Sequence, residues 1–371
     1  MKIGFCLFKY FPFGGLQNDF MDVAGLCAER GHEVYVYTRS WQGNIPERFN
    51  VRLIKSQALS NNKKYQRYHT RAMGLIRQDD TDLVVGFNKM PGLDVYFASD
   101  PCYKYQMSSR SKWHRLGPRY RHFIGFEGGV FDARSDTRIL ILSEDQKQNY
   151  QLAWQTPDSR FTLMPPGIHR SACADEQAQN HRQRIRQEFD LVDDDILLLM
   201  IGSGFKTKGL DRALHAIRSL PAKLYERVQL VVIGQDKAIR FEKQAAKMGL
   251  ADKVRILPGR DDIPAVMQAG DLLVHPAYAE VAGKVILEAV VAGLPVLVTD
   301  VCGYAHHVAE ARAGIVLSSP FKQKVMDEML EMMLEDNKKR ESWREQGIVY
   351  GREQGLYSLA DAAVIAIEAA R

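Results

Sequence analysis

The chain has 371 residues, of which 46% are hydrophobic and 26% are charged. That length exceeds the size at which one hydrophobic core stops growing, so it predicts two domains, and the composition excludes a disordered or fibrous chain. The formal net charge of +5 is too modest to indicate nucleic acid as a partner. No window holds the roughly 20 apolar residues of a membrane-spanning helix. Five scattered cysteines without a C-x-x-C pair indicate free thiols in a reducing compartment.

Short apolar runs alternate with helical patterns along the first half of the chain. This alternation is typical of parallel sheets built from strand-helix-strand units, and it predicts an α/β fold. A helix is predicted from Gln17 to Arg30, ending at Gly31 because glycine readily takes the left-handed conformation that stops helices. The predicted strands are Lys2–Phe8, Glu33–Thr38, Val51–Lys55, Asp82–Phe87, Leu93–Ala98, Arg138–Ser143 and Phe161–Met164.

The loop after the first strand contains Gly14 and Gly15 and leads into the first helix, where Asp19 stands. Ligands of open α/β sheets bind at the carboxyl ends of strands, and glycines let the backbone come close to them. The amides at the start of the helix can meet an anionic group. The alternative interpretation is a tight turn in which Asp19 only favours the start of the helix.

A basic and aromatic segment runs from Pro101 to Phe126 without any Asp or Glu. Cationic side chains interleaved with amphipathic rings are the composition expected at an anionic lipid surface, and a solvated loop is the alternative. Single-stranded nucleic acid can be held by the same residue types, but the chain has no nucleic-acid motif. The residues that we expect to contact the membrane are Lys104, Arg110, Lys112, Trp113, Arg115, Arg119 and Arg121.

The sequence Pro165-Pro166-Gly167 cannot continue a helix or a strand, and it predicts a domain boundary. The first domain is expected at residues 1–167 and the second at 168–371, with the last helix packing back on the first domain. Residues 322–371 have a helical pattern interrupted near Gly347 and Gly355. The predicted strands of the second domain are Asp195–Ile201, Val228–Ile233, Val254–Leu257, Leu272–His275, Pro295–Thr299 and Gly314–Leu317.

The first loop of the second domain reads Gly202-Ser203-Gly204-Phe205-Lys206-Thr207-Lys208-Gly209. It lacks the G-x-x-x-x-G-K-[ST] pattern of a P-loop, and Thr207 occupies the position of the third glycine of a dinucleotide fingerprint. Small residues with Lys206 and Lys208 ahead of a helix are suited to a diphosphate, which backbone amides and point charges would bind. The alternative is a solvated pair of lysines.

A third group, in the segment from His275 to Ala289, contains Glu280 and Glu288 with seven residues between them. If a helix begins near Ala282, the first glutamate precedes its start and the second lies in its second turn. Carboxylates there can accept hydrogen bonds from hydroxyl groups of a sugar and a ribose, and free amides at the helix start can bind a diphosphate. The alternative is one exposed loop residue and one partly buried helical acid.

The E-x7-E arrangement, the glycine-lysine loop and the glycine-rich first loop together resemble the retaining glycosyltransferases of family four. The segments KYFPFGGLQNDFM, VVGFNKMPGLDVYFA, LMPPGI, IGQDK, HPAY and GLPVLVTDVCGYAHH look like those members that add the first hexose to the heptose region of the lipopolysaccharide core. This resemblance implies the GT-B fold, two Rossmann-like domains that face each other across a cleft. It also implies a uridine-diphosphate (UDP) sugar as donor, glucose as the expected hexose, and transfer in α-1,3 linkage to heptose of a lipid A-core acceptor.

The resemblance also assigns roles to residues on the donor side. Lys208 corresponds to the lysine that binds the diphosphate, Glu280 to the acid facing the donor sugar and Glu288 to the acid facing the ribose. Relatives commonly carry arginine where this chain has Thr207, so Lys206 is the candidate for that charge. The other expected donor contacts are Gly14, Gly15, Gly202, Ser203, Arg260, Ala282 and Gly283.

On the acceptor side, the resemblance places Asp19 beside the sugar and the acceptor, and Asp100 as a second acid lining the acceptor region. The expected catalytic residues are therefore Asp19, Asp100, Lys208 and Glu280.

No metal ion or cofactor is expected. His275 ends a strand and is interpreted as a packed core residue, His306 and His307 lack spacing to further ligands, and there is no D-x-D motif. Two alternatives remain open: a UDP-sugar 2-epimerase of the same fold, and a non-catalytic nucleotide-sugar-binding scaffold of the envelope. The expected location is the cytoplasm, peripherally on the cytoplasmic face of the inner membrane of a Gram-negative bacterium.

Overall fold

The computed structural model of the chain describes residues 1–12, 14–108 and 110–371. These residues form two compact units, Met1–Gly167 with Ser358–Arg371, and Ile168–Tyr357. The second unit therefore ends at Tyr357, and the final helix belongs to the first unit rather than to a second domain that continues to residue 371. None of the helices in the described ranges is long and apolar enough to cross a membrane.

The first unit is built on one sheet of seven parallel strands, β1 (Lys2–Leu7), β2 (Glu33–Thr38), β3 (Phe49–Leu53), β4 (Leu83–Gly86), β5 (Val95–Ala98), β6 (Arg138–Ile141) and β7 (Phe161–Leu163). Their order across the sheet is β3-β2-β1-β4-β5-β6-β7. All the strands predicted for this half are present, with ends that differ by one or two residues. The chain leaves β1 toward β2 on one side and returns as β4 on the other, which creates a switch point where ligands of such sheets bind.

Helices cover both faces of this sheet: α1 (Gly15–Glu29), α2 (Asn61–Gln78), α3 (Tyr103–Ser108), α4 (Pro118–Phe131) and α5 (Glu144–Trp154). Successive strand residues point to opposite faces, so both faces must be apolar. One face buries Cys6, Tyr37, Val84, Tyr96 and Ile139 with side chains of α2, α4 and α5. On the other face, Phe20 of α1 contacts Phe5 and Phe87 edge-on, with ring centroids 5.9 and 5.5 Å apart.

The second unit contains a parallel sheet of six strands, β8 (Ile196–Ile201), β9 (Val228–Ile233), β10 (Val254–Leu257), β11 (Leu272–His275), β12 (Val296–Thr299) and β13 (Gly314–Leu317). Their order is β10-β9-β8-β11-β12-β13, so the switch point lies between β8 and β11. β8 reads ILLLMI and is buried at every position, because helices pack on both of its faces. The helices are α6 (Ala178–Glu188), α7 (Leu210–Ser219), α8 (Ala222–Tyr225), α9 (Ile239–Lys247), α10 (Ile263–Ala269), α11 (Lys284–Val291), α12 (Ala305–Glu310), α13 (Gln323–Glu335) and α14 (Asn337–Tyr350).

The last helix, α15 (Leu359–Glu368), returns to the first unit and packs on α1. Its apolar residues Leu359, Val364 and Ile367 are buried there. Arg30, which follows α1, forms ion pairs of 3.2 Å with both Asp361 and Glu368.

One prediction about helix boundaries was wrong, because Gly347 does not interrupt a helix but lies inside α14. The start of α11 at Lys284 agrees with the expected start near Ala282. A Cβ at Gly347 would lie 2.3 Å from the carbonyl oxygen of Val290 in α11. The glycine is therefore required for close packing of α14 on α11, and sequence pattern alone does not distinguish that role from a helix end.

Candidate functional site

The first loop of the second unit follows β8 and takes a conformation that depends on glycine. Gly202 and Gly204 have φ angles of +128° and +82°, in the region that favours glycine. The loop is fixed from the neighbouring strand, because the Phe205 amide donates to Asp236 at 3.0 Å and the Gln235 amide donates to the Ser203 hydroxyl at 2.9 Å. The loop therefore has a defined shape at the carboxyl edge of the sheet.

The segment that follows β11 lies directly beside this loop. The Tyr278 amide donates to the Thr207 carbonyl at 2.8 Å. Gly209, directly before α7, has a φ angle of +80°, and a Cβ there would lie 2.1 Å from the carbonyl oxygen of Pro276. The two loops meet because β8 and β11 are neighbours in the sheet, and this adjacency brings Lys208 close to Glu280.

Lys208 and Glu280 form an ion pair at the switch point. Their side chains are only 18% and 16% exposed, so water screens the pair weakly. The Glu280 backbone pairs with that of Cys302, and the Tyr304 amide donates to the Ala282 carbonyl at 2.8 Å. The loop after β12 thus holds the acid in place.

His275 is a member of this site that the sequence did not reveal, because it was interpreted as a core residue. It is fully buried, and its Nε2 lies 3.5 Å from Glu280 Oε2. Burial, reinforced by the charge of Lys208, lowers the pKa of His275 to about 3, so the ring is neutral at physiological pH. Burial likewise raises the pKa of the nearby Cys302 thiol to about 11, against the opposing effects of Thr299 and Lys208.

The start of α11 lies beside the ion pair. Gly283 precedes the helix with a φ angle of +86°, and a Cβ there would lie 3.1 Å from Cγ of Glu280. The start of a helix carries the positive end of its dipole, and amides there can donate to an anionic ligand. Glu288 is the fifth residue of α11 and is partly buried. Both glutamates therefore belong to the same loop-helix unit, with Lys208 against the first of them.

Other predicted donor contacts differ in their surroundings. Lys206 is exposed, in contrast to Lys208, and none of the described acids pairs with it. Arg260 is held by two carboxylates, those of Glu188 and Asp262, which raise the pKa of its guanidinium above the usual value. The Arg260 guanidinium therefore forms ion pairs with acids of this unit.

The first unit places its glycine loop at the switch point between β1 and β4. The Phe8 amide, just after β1, donates to the Asn88 side chain just after β4 at 2.7 Å, so the two loops are tied together. Gly14 and Gly15 stand at the start of α1, which begins two residues earlier than predicted, and Asp19 is buried in its second turn. Asp100 follows β5, where burial raises the pKa of its carboxyl and the nearby Lys89 opposes that effect.

A buried acid, Glu127 of α4, anchors the start of the basic and aromatic segment. Its carboxylate accepts hydrogen bonds from Lys89 Nζ at 2.7 Å, from the amides of Tyr103 and Lys104 at 2.7 and 2.8 Å, and from the Trp154 indole at 2.9 Å. Burial alone would raise the pKa of Glu127, but these donors lower it below the usual value. The sequence held a signal for this role, a single acid in the apolar run after a long acid-free stretch.

Two of the residues expected to contact a membrane, Lys104 and Arg115, form contacts with other residues of the first unit. The Lys104 ammonium lies 3.9 Å from the centre of the Trp154 ring, and Arg115 donates to the carbonyl oxygens of Met107 and Ser108 at the end of α3. These contacts occupy the Lys104 ammonium and part of the Arg115 guanidinium, and membrane contact by either side chain stays a prediction. The exposed members are Arg110, Trp113, Arg119 and Arg121, and the side chain of Lys112 lies outside the described part of the chain.

One group of metal-binding residue types comes together among the described residues. Ligand atoms of His306, His307 and Glu310 lie within 4.8 Å of one another. His307 Nδ1 lies 2.7 Å from the Tyr350 hydroxyl, which in turn donates to Glu310 at 3.0 Å. Burial, with the charge of His306, lowers the pKa of His307 to about 4. We interpret the group as a hydrogen-bond network at the end of α12.

Comparison with known proteins identifies the family. Residues 181–349 match the family described as "Glycosyl transferases group 1". The chain is 43% identical to "Lipopolysaccharide glucosyltransferase WaaG" of Escherichia coli K12 over 98% of this chain and 97% of that protein. It is 24% identical to a D-inositol 3-phosphate glycosyltransferase of Salinispora tropica over 82% of this chain and 70% of that protein.

Solved structures agree with this relationship. The crystal structure of WaaG superposes with a TM-score of 0.96, covering 98% of this chain and 99% of that chain. Sucrose-phosphate synthase of Thermosynechococcus elongatus has a TM-score of 0.79 at 15% identity, covering 100% of this chain and 98% of that chain, and this likeness concerns the fold alone.

Two parallel α/β units with ligand loops at their switch points define a glycosyltransferase of the GT-B fold class, which confirms the fold predicted from the sequence. The chain belongs to the group 1 glycosyl transferases, in the family that includes lipopolysaccharide glucosyltransferase WaaG.

The buried neutral His275 predicts a particular dependence of stability on pH. The unfolded chain protonates this histidine below its ordinary pKa of 6.5, whereas the folded chain does so only near pH 3. Stability is therefore lost as pH falls from 6.5, by about 1.4 kcal/mol per pH unit from this residue. In urea unfolding of the full chain between pH 6.5 and 5, we expect His275→Asn to reduce the pH slope by about that amount.

The matched control is His215→Asn, on the exposed side of α7, which should leave the slope of the parent protein unchanged. An unaltered slope in the His275 variant would show that the histidine is protonated in the folded state.

Proposed function

We propose that this chain transfers glucose from UDP-glucose to a heptose of the lipopolysaccharide inner core, in α-1,3 linkage and with retention of configuration. The observation that carries the proposal is 43% identity over nearly the full length to a lipopolysaccharide glucosyltransferase. The ion pair of Lys208 and Glu280 at the switch point supports the donor class. The donor and the linkage follow the family resemblance of the motifs around these two residues.

The donor would bind at the second unit, with its diphosphate at the start of α11. Helix-start amides and a lysine supply the positive charge that a diphosphate requires. Lys208 pairs with Glu280, which lies beside Gly283, so a diphosphate there competes with Glu280 for the Lys208 ammonium. Glu280 then accepts hydrogen bonds from hydroxyl groups of the sugar, and Glu288 accepts them from hydroxyl groups of the ribose. Gly202 and Gly204 let the backbone approach the phosphates without a Cβ between them.

The proposed step breaks the bond between the anomeric carbon of glucose and the β-phosphate oxygen. The new bond forms from the acceptor hydroxyl oxygen on the same face of the sugar, and the hydroxyl proton passes to the departing phosphate oxygen. Lys208 and the amides of α11 stabilise the negative charge that grows on the leaving UDP. Asp19 and Asp100 are proposed to orient the acceptor at the first unit.

The two alternative functions are not favoured. The full-length relative is a glucosyltransferase, and the match to group 1 glycosyl transferases covers the donor-binding unit. A UDP-sugar 2-epimerase or a non-catalytic scaffold of the envelope would have no use for acceptor residues. Formation of an epimerised sugar without an acceptor would distinguish the epimerase from the transferase.

The role of Lys208 can be tested by kinetics. Because its charge is needed most when the phosphate departs, we expect Lys208→Ala to lower kcat on the order of 10²-fold or more, with a much smaller rise in the donor KM. Transfer is measured with UDP-glucose and heptose-terminated core lipid. Lys247→Ala, an exposed lysine of α9, is the control and should retain the parent rate. An unchanged kcat for the Lys208 variant would remove this residue from the mechanism.

We propose that transfer requires no metal ion, because Lys208 and the helix-start amides meet the charge of the diphosphate. The expected result is that the initial rate is the same after dialysis against EDTA and in the presence of added Mg²⁺ or Mn²⁺. The His306→Ala variant should behave identically in both conditions. A rate that falls in EDTA and recovers with a divalent cation would contradict metal-independent leaving-group stabilisation.

We also propose that the chain acts at the cytoplasmic face of the inner membrane of a Gram-negative bacterium, bound peripherally through the segment from α3 to α4. Trp113 and Leu116 are 82% and 66% exposed, and Arg119 and Arg121 are exposed on the first turn of α4. Apolar and aromatic side chains next to cations suit the boundary between headgroups and acyl chains. A lipid-anchored acceptor would be reached from such a surface.

Vesicle sedimentation tests this surface. Each cation near anionic lipid contributes about 1 kcal/mol, so reversing Arg119 and Arg121 together to Glu should weaken binding to anionic vesicles at least about tenfold. Arg134→Glu, beyond the other end of α4, is the matched control and should bind as the parent does. Equal binding of the parent protein to neutral and anionic vesicles would argue against the proposal.

A further inference from the structure

A second acid-free basic stretch lies in the first unit and is not explained by donor binding or by the segment from α3 to α4. Residues 48–78 contain eight Lys or Arg and no Asp or Glu, whereas the chain as a whole has 45 acids in 371 residues. At that average, a stretch of this length would hold about four acids. Arg48 pairs with Glu29 and Arg52 with Asp79. No acid in the described ranges pairs with the other six cations, Lys55, Lys63, Lys64, Arg67, Arg71 and Arg77.

Three of these cations form a row along α2. Lys63, Arg67 and Arg71 follow each other at intervals of four residues and are all exposed, so they lie on one side of the helix. Like charges at this spacing destabilise a helix. A helix that keeps such a row without compensating acids indicates a surface shaped by an anionic partner. We call these three residues the α2 row.

The beginning of α2 lies at the ligand-binding edge of the sheet. Tyr65 stacks on Phe8, which follows β1, with ring centroids 4.3 Å apart. Arg39, which follows β2, lies 5.6 Å from the centre of the same ring. The other end of the helix lies at the opposite edge, because Asp79, directly after α2, accepts a hydrogen bond from Lys2 at the start of β1. The α2 row therefore starts beside the loops where the acceptor is proposed to bind.

The row is fixed by contacts with the chain segment before α2. Arg67 donates to the carbonyl oxygen of Gln57, and Arg71 donates to that of Lys55. Each guanidinium has five donors, so most remain available to a ligand. These bonds also hold exposed Lys55 against the helix. Planar guanidinium groups at fixed positions match carboxylates and phosphates in particular.

We propose that the α2 row, with Lys55 and Lys64, binds carboxylate or phosphate groups on the saccharide of the acceptor, next to the sugar that accepts glucose. This inference rests on the proposed function and names the part of the acceptor that the enzyme recognises. α4 contacts the side of α2 that carries Tyr65 and His69. The row lies on another, exposed side of the helix, beside the segment that holds Lys55 and Gln57.

The test uses a delipidated acceptor oligosaccharide, which removes any contribution of a membrane surface. In Lys63→Glu/Lys64→Glu, whose side chains make no backbone contacts among those described, we expect the acceptor KM to rise about tenfold or more at low salt. The kcat and the donor KM should stay at their parent values. Added NaCl should raise the acceptor KM of the parent protein and have a smaller effect on the variant.

Arg77→Glu, in the last turn of the same helix at the opposite edge, is the matched control and should leave the acceptor KM unchanged. A second arm compares the acceptor before and after enzymatic removal of its phosphates, and after conversion of its carboxylates to amides. Loss of the difference between parent and variant with one of these acceptors identifies the group that the row binds.

Three results would overturn the proposal. One is an unchanged acceptor KM for the double variant, and another is an equal rise for Arg77→Glu. The third is an effect seen only with vesicle-bound acceptor, which would assign the row to the membrane surface. If the parent protein transfers no glucose to any acceptor, the proposed function fails. Calorimetric binding of the same oligosaccharide to the parent and the double variant then decides the inference by itself.

Discussion

The adjacency of β8 and β11 in a parallel sheet is the constraint on which the donor site depends. Lys208 and Glu280 are far apart in sequence, and they meet only because the loops after these two strands emerge side by side at the carboxyl edge. Gly202 lies beside Lys208, and Gly283 lies beside Glu280 at the start of α11, so glycines and a helix start border the pair. Everything proposed about leaving-group stabilisation follows from this arrangement.

Burial determines which groups of the donor site are charged. His275 is neutral because it is fully buried beside a lysine, whereas the Cys302 thiol stays protonated because burial raises its pKa against the opposing effect of that lysine. Lys208 and Glu280 are therefore the charged groups at the centre of the site. In a medium of low polarity, the interaction of such a pair is stronger and less screened than at the surface. An incoming diphosphate therefore meets a cation whose position is already defined.

The sequence could predict the strands, the boundary after Gly167 and the residue types of the donor loops, because apolar periodicity and glycine spacing are local properties. It could not predict which loops meet, since strand order is a property of the whole sheet. For the same reason His275 was assigned to the core, where it does lie, without any sign that Glu280 would be 3.5 Å from its ring. Gly347 was predicted to interrupt a helix, but it is needed for the packing of α14 on α11. The sequence around a glycine does not distinguish these two roles.

The composition of a basic segment does not show which of its side chains can bind a partner, because some of them form contacts within the protein. Lys104 and Arg115 contribute to the same charge count as Arg119 and Arg121, yet the first two are occupied by an indole ring and by backbone carbonyls. The anchor that makes this possible is Glu127, an acid outside the acid-free stretch. A count of charges thus indicates a surface but does not identify the side chains that are free to use it.

The return of α15 to the first unit has a consequence for how the chain is made. The sheet of that unit is complete once β7 has left the ribosome, but the side of α1 that α15 covers has to wait until the whole second unit has been synthesised. Domains generally fold in the order of their synthesis, and exposed apolar surface attracts unwanted partners during that time. The nascent first unit therefore exposes this side of α1 until α15 has been made.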